Sequence, residues 1–220
     1  MHRSNNTRVC TAELPSYWQP VLRRLKSDDT RNGSDWTLAQ LLFAIRDMPY
    51  ERPVGQSVGA RECVTQWCGT CSAKHLAAYE LLDTLGLSPT IWLACYRMDF
   101  DRPYYSGRLR QHVGALTIYD VHNFLTCELH GKRCVIDVTF PVRLGKLGFP
   151  VTHDWSEGQD FVLCCEPEER REMRVVADTD RLKREWLHTL NPGEASPLRE
   201  QAIGELMFAA KAESKYLESK

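Results

Sequence analysis

No stretch of the 220-residue sequence is long and apolar enough to span a bilayer, and residues 1–7 lack the apolar run of a signal peptide. A cytoplasmic location is the default expectation. An excess of one charge is also lacking: 28 Lys and Arg stand against 29 Asp and Glu, a formal net charge of -1. Such a balance gives no general electrostatic reason to bind nucleic acid or an anionic membrane, so neither is expected as a partner. There is no internal repeat, no low-complexity tract and no long Pro/Gly linker, so residues 1–220 read as one domain. With 43% hydrophobic and 26% charged residues the chain sits near the average for a globular protein, which excludes wholesale disorder.

Nine cysteines are present, an odd number scattered through apolar segments, unlike the framework of a small secreted domain. Most therefore read as reduced core residues. Cys95, Cys127, Cys134, Cys164 and Cys165 lie in or beside strand-like runs, where cysteine serves as a small hydrophobe.

Helical spacing of Trp18, Val21, Leu22 and Leu25 predicts a helix over 15–26, followed by a polar loop over 27–33. A second helix is expected to begin at Ser34 or Asp35, carry Trp36, Leu38, Leu41, Leu42 and Ile45, and stop at the Met48-Pro49 step. Residues 50–59 read as a loop. The stripe Ala73, Leu76, Ala77, Leu81, Leu82 and Leu85 predicts a helix over 72–85 with Gly86 as its C-terminal cap. Strands are expected over 91–96, 113–119, 122–129, 133–140 and about 161–165, with helices over 179–190 and from Ser196-Pro197 onward. The mixed charges of 166–174 read as a solvated face, with Leu182, Trp186 and Leu190 on the buried side of the helix that follows. Helices first and antiparallel strands after give an α+β fold.

Cys71 follows the turn Cys68-Gly69-Thr70 and stands where the predicted helix starts. Unpaired backbone N–H groups and the helix dipole favour a thiolate there, and the same groups can donate to an oxyanion. A thiolate nucleophile needs a base and a residue that orients the base, and His122 and Asp137 are placed to supply them. If residues 130–131 form a two-residue turn, position 122 opposes 139 and 124 opposes 137, so His122 and Asp137 lie diagonally on one face, about 7–8 Å apart at the backbone. A three-residue turn would separate them. An aspartate inside Val135-Ile136-Asp137-Val138 is unusual in such a β-forming run and calls for a partner.

Three segments, Gly69-Thr70-Cys71-Ser72-Ala73-Lys74-His75, Asp120-Val121-His122-Asn123-Phe124 and Val135-Ile136-Asp137-Val138-Thr139, together resemble the transglutaminase-like superfamily. The resemblance covers residues 34–139. It implies a papain-like core with a Cys-bearing helix packed on an antiparallel sheet that carries the histidine and aspartate, here extended to about 34–165, with N- and C-terminal helices added. It also implies a cysteine hydrolase or acyltransferase acting on a peptide, protein or small-molecule amide or ester. Some members of that family have lost the three catalytic residues, so a non-catalytic binding protein is the alternative. Lys74 and His75 depart from the family pattern, and the aromatic neighbour of the histidine is represented only by Phe124. Gln66 resembles the oxyanion-donating glutamine of papain but stands one residue too close to the cysteine.

Cys68 and Cys71 also form C-x-x-C, which admits a redox pair or half of a zinc site, with Cys63 and His75 as the nearest additional ligands. His75 lies one helical turn from Cys71 and reads more readily as a substrate contact or polar face residue than as a ligand. His112, His130, His153 and His188 carry no assigned role. The carboxylates of Asp99-Phe100-Asp101 and Asp178-Thr179-Asp180 read as turn or capping residues, so neither a metal nor another cofactor is expected. Residues 99–110 read as a polar loop whose Tyr104, Tyr105 and Arg108 are candidate substrate contacts.

Overall fold

A two-residue turn sets the sheet. In the computed structural model, which describes residues 7–10, 13–28, 35–55 and 59–218, His130 and Gly131 both take positive φ, 54° and 72°. Two consecutive left-handed residues make the tight turn whose twist matches an antiparallel pair. It joins β4 (Tyr119–Leu129) to β5 (Lys132–Ile136). The ladder runs from Leu129 opposite Lys132 to Leu125 opposite Ile136. Continued by three positions, this register sets 122 opposite 139, as the turn predicts.

Four antiparallel strands form the main sheet in the order β5-β4-β3-β6, with β3 at Thr90–Arg97 and β6 at Glu169–Met173. β6 is the main departure from the sequence reading. The charged run does face solvent, but it also pairs residue by residue with β3, from Ile91 opposite Met173 to Cys95 opposite Glu169. Its arginines spread over rings: Arg170 over Phe124 and Arg171 over Trp186, 5.6 and 3.9 Å from the centroids. Such contacts let charged side chains cover apolar surface, which a pattern of alternating hydrophobicity does not register. The expected strand at 161–165 is not in the ladder. That segment runs beside β5, held by the Phe161 N–H on the Val135 carbonyl at 2.9 Å.

The N-terminal part is helical. A 3-10 turn (Ser16–Trp18) leads into α1 (Gln19–Asp28), and the rest of the expected polar loop, 29–33, lies outside the described residues. Asp35–Thr37 is not the start of a helix but a short strand, β2, paired with β1 (Arg8–Cys10). α2 (Leu38–Asp47) starts later because Thr37 and Gln40 form a reciprocal cap: the Gln40 N–H donates to Thr37 Oγ1 and the Thr37 N–H to Gln40 Oε1. Residues 56–58 of the expected 50–59 loop lie outside the described residues. α3 (Ala60–Gln66), absent from the sequence reading, precedes α4 (Cys71–Thr84). α4 ends as expected, with Gly86 at φ 72° and its N–H on the Asp83 carbonyl.

The expected strand at 113–119 is replaced by α5 (Gly107–Val113) and a turn at Gly114. Ser106 Oγ accepts the Leu109 N–H, a cap that starts a helix inside the presumed polar loop. α6 (Thr179–Leu190) and α7 (Ala195–Glu218) close the chain. Among the described residues no helix is long and apolar enough to cross a membrane. The main core joins α1, α2 and α4 to the sheet through Trp18, Leu41, Leu81 and Leu125, among others, and a second packs α5 and α7 around Phe140 and Phe149. Trp186 of α6 packs with Leu93, Cys95 and Val121.

One buried lysine ties these parts together where the site forms. Lys74 of α4 is wholly buried, and its ammonium donates to the carbonyls of Arg46 (2.7 Å), Met48 (2.6 Å) and Thr139 (3.0 Å). The first two lie at the C-terminal end of α2, where carbonyls lack helical partners, and the third follows β5. Gly69 allows this approach, since a Cβ there would meet Cys63 Sγ and Lys74 Cγ at 2.8 Å. Replacement by methionine keeps the volume but strands three acceptors, at about 1–3 kcal/mol each. Lys74→Met is therefore expected to lower unfolding free energy by about 3 kcal/mol or more, read as a fall in the urea midpoint.

Candidate functional site

Cys71 is the first residue of α4, and the Thr70 side chain makes no capping bond, so the helix N-terminus stays open around the sulfur. The residue is 9% exposed and lies at the floor of a cleft of about 540 Å³ lined also by Tyr50, Ser72, Asp120, Lys183 and Arg199. Burial first of all, then the Cys71 charge, pushes the Tyr50 phenol pKa well above its ordinary value.

His122 of β4 and Asp137, just past β5, meet as their register predicts: His122 Nε2 lies 2.9 Å from Asp137 Oδ2, with both side chains almost fully buried. Oδ2 also accepts the Cys164 N–H at 2.8 Å, and Oδ1 the Thr139 N–H at 3.0 Å. Burial alone would raise the Asp137 pKa, but the charge and bond of His122 and the Thr139 contact together hold it well below the carboxylate range. Burial would likewise make His122 neutral, yet the Asp137 charge, the hydrogen bond His122 donates to Asp137 and its interaction with Cys71 push its pKa well above the ordinary value. With Nε2 on Asp137, Nδ1 is the nitrogen left for Cys71.

The sulfur shows the same contest. Burial raises the Cys71 pKa; the Lys183 charge and the bond and charge of His122 outweigh it and bring the thiol down to about 6. Cys165 is also lowered, by its bond with Cys164 first and then, against burial, by the His122 charge. Cys63 is pushed up to about 12, and Cys95 and Cys127 to about 11, by burial first of all.

His75 is neither a substrate contact nor a surface residue, because it is fully buried behind the site. Its Nε2 accepts the Val138 N–H at 3.2 Å, so its proton belongs on Nδ1, which donates to the Cys71 carbonyl at 2.8 Å. Burial, the leading cause, depresses its pKa to about 4 and keeps it neutral. His75, His122 and Asp137 are the one group among the described residues whose atoms converge closely enough for a metal ion. Each converging atom already holds a hydrogen bond, and the cluster orients His122 without an ion. The set Cys63, Cys68, Cys71 and His75 does not converge: Cys63 contacts Met48 Sδ, and Cys68 and Cys71 are both free thiols.

Gln66 is not an oxyanion donor. Its Nε2 donates to the Val54 carbonyl at 2.7 Å and its Oε1 accepts the Val54 N–H at 2.8 Å, which commits the amide to the preceding loop. Tyr104, Tyr105 and Arg108 do not line the Cys71 cleft. Tyr105 is buried, Tyr104 stacks on Phe149 with centroids 4.3 Å apart, and Arg108 is exposed on α5. The two tyrosines line a separate cavity of about 480 Å³ with Cys164 and Cys165.

Lys183 was missed. Its ammonium, on α6, lies 3.3 Å from Cys71 Sγ, 3.3 Å from Ser72 Oγ and 2.7 Å from Asn123 Oδ1. A signal did exist: Thr179, Lys183, Trp186 and Leu190 follow helical spacing, so the lysine interrupts an apolar stripe. Asn123 and Ser72 carried no signal, since their link at 3.0 Å joins residues 51 apart.

The chain matches no family model, no curated protein and no solved structure.

The neutral state of His75 has a measurable consequence. The unfolded chain binds a proton near pH 6.5, whereas the folded one resists it until about 4. Stability therefore falls with pH across that interval, by on the order of 3 kcal/mol at about 1.4 kcal/mol per unit. Asp137, with its pKa depressed, adds its own loss only below the unfolded carboxylate value near 3.8. Urea midpoints measured from pH 7 to 4 are expected to fall in the wild type and to fall less in His75→Gln.

Proposed function

We propose that the protein performs cysteine-dependent acyl chemistry with Cys71 as nucleophile, His122 as general acid and base, and Asp137 as the residue that orients and charges His122. The observation that carries this reading is the buried His122–Asp137 pair at 2.9 Å, whose histidine, with Lys183, helps bring the Cys71 thiol down to about 6. A stable thiolate and imidazolium at neutral pH is the resting state such chemistry needs.

The steps follow from the atoms in place. The Cys71 thiolate attacks the carbonyl carbon of an amide or ester, and the carbonyl electron pair moves onto oxygen. The open N-terminus of α4 at Cys71, rather than the Gln66 amide committed to Val54, offers donors for that oxyanion, and Tyr50 lines the same cleft. His122 passes its proton to the leaving nitrogen or oxygen as the carbonyl reforms. Water or an amine then attacks the thioester, giving up a proton to His122. Asp137 keeps Nε2 engaged throughout, which fixes the ring.

The α+β fold, with the cysteine on a helix that packs against the sheet, supports a papain-like core of the transglutaminase-like kind, with α6 and α7 as additions and residues 1–220 as one domain. Reduced thiols fit a cytoplasmic setting. The substrate class is a peptide, protein or small-molecule amide or ester.

Alkylation by iodoacetamide, followed by intact mass and peptide mapping against pH, tests this reading. Cys71 is expected to react with a midpoint near 6, and His122→Ala to move that midpoint up toward the ordinary thiol range. With an activated ester, Asp137→Asn should slow acylation by about 10²–10⁴-fold. Cys68→Ser should label like the wild type. Equal loss in Cys68→Ser and Cys71→Ser would refute the nucleophile assignment in favour of a paired-thiol role.

A further inference from the structure

The amine over the sulfur is unusual in its company. Lys183 is buried, and the polar atoms around its ammonium are the Cys71 sulfur, the Ser72 hydroxyl and the Asn123 amide oxygen, at 3.3, 3.3 and 2.7 Å. Three acceptors for three protons describe an ammonium, not a free amine. A counter-charge offsets the desolvation of a buried ammonium. Of its three contacts, only Cys71 can ionise to an anion. Ser72 passes its own proton to Asn123 Oδ1 at 3.0 Å, leaving a lone pair turned toward Lys183. Asn123 is thus held by two donors, and the pair fixes Nζ beside Sγ.

We propose that Lys183 is a catalytic residue of the Cys71 site, which holds the resting thiolate and then donates its hydrogen bond to the oxyanion of the acyl group. This rests on the acyl-transfer reading above. When the thiolate lone pair becomes the S–C bond, sulfur loses its negative charge and Lys183 loses its partner. In the same step the carbonyl electron pair becomes an oxyanion two bonds from that sulfur. A donor already in contact with sulfur reaches that oxygen with little movement. Lys183 N–H bonds reorient but no proton leaves the ammonium, because the leaving group takes its proton from His122. The negative charge therefore moves from sulfur to oxygen within reach of one fixed cation, which favours the transition state over the resting thiolate only if Nζ lies nearer the oxyanion.

Several groups bear on the titration of Cys71: His122 and Asp120 from β4, Tyr50 before α3, Cys164 beside β5, and Lys183 from α6. Removal of one cation leaves the others in place, so its contribution can be read separately.

Two reactions with different demands give the test. Alkylation by iodoacetamide needs only the thiolate, while acylation by p-nitrophenyl acetate also forms an oxyanion. Lys183→Met and Lys183→Gln are compared with the wild type in both, against pH, with circular dichroism to report folding. Both variants should raise the alkylation midpoint by at least about one unit from the value near 6. Above both midpoints, their alkylation should match the wild type within about threefold, while acylation by Lys183→Met should fall by about 10²-fold. Lys183→Gln, which keeps an uncharged N–H donor one bond nearer the backbone, should fall less, and it serves as the folded comparison if the methionine variant is unstable. An unchanged ratio of acylation to alkylation would overturn the proposal, and so would faster acylation, which would make Lys183 a plug over the sulfur. Absence of any Cys71 labelling in the wild type would instead overturn the acyl-transfer reading itself.

Discussion

A carboxylate with almost no contact with water has to be surrounded by donors, and Asp137 draws its donors from three parts of the chain. His122 comes from β4, the Thr139 N–H from the stretch after β5, and the Cys164 N–H from the segment beside β5. Each contact is directional, and an unsatisfied charge at this depth would cost several kcal/mol. The carboxylate therefore fixes the ring plane of His122 and the path of residues 160–165 together. His75 completes the arrangement by staying neutral, occupying the Val138 N–H and the Cys71 carbonyl without adding a positive charge.

The charges then alternate from group to group: Asp137 negative, His122 positive, Cys71 negative, Lys183 positive. Nine cysteines share one side-chain chemistry, yet burial lifts Cys63 to about 12, whereas neighbouring cations bring Cys71 to about 6. The difference lies in the partners, because burial opposes ionisation in both.

Local signals were legible where the chain itself encodes them. The two-residue turn at 130–131 follows from a glycine between two β-forming runs, and it carried the meeting of His122 and Asp137 with it. α6 was readable from its apolar stripe, and α4 from its stripe and Gly86. Elsewhere a stronger rule won. Thr37 and Gln40 start α2 three residues late through a reciprocal cap, and Ser106 starts a helix where β-branched Val113 suggested a strand. β6 was hidden because arginines shield rings with their stems and planes, giving a paired strand the composition of a solvated face. Gln66 shows the limit of motif likeness: one residue of spacing leaves its amide on Val54 instead. Lys183 was present as an exception in a pattern, a cation on an apolar stripe, but nothing near it in sequence names the sulfur it meets.

The separation of 112 positions between Cys71 and Lys183 also bears on biosynthesis. Chains are made from the N-terminus at a finite rate, and contacts between distant positions form late. A nascent chain that has emerged only through residue 137 already holds Cys71, His122 and Asp137, but not the helix that supplies the ammonium. Its cysteine lacks the counter-ion that contributes to holding a thiolate at neutral pH, and is correspondingly less open to stray electrophiles during synthesis. In the proposed reading, the dependence on α6 thus ties full nucleophilicity to a helix made well after Asp137, so the sulfur meets its counter-ion only once α6 has packed.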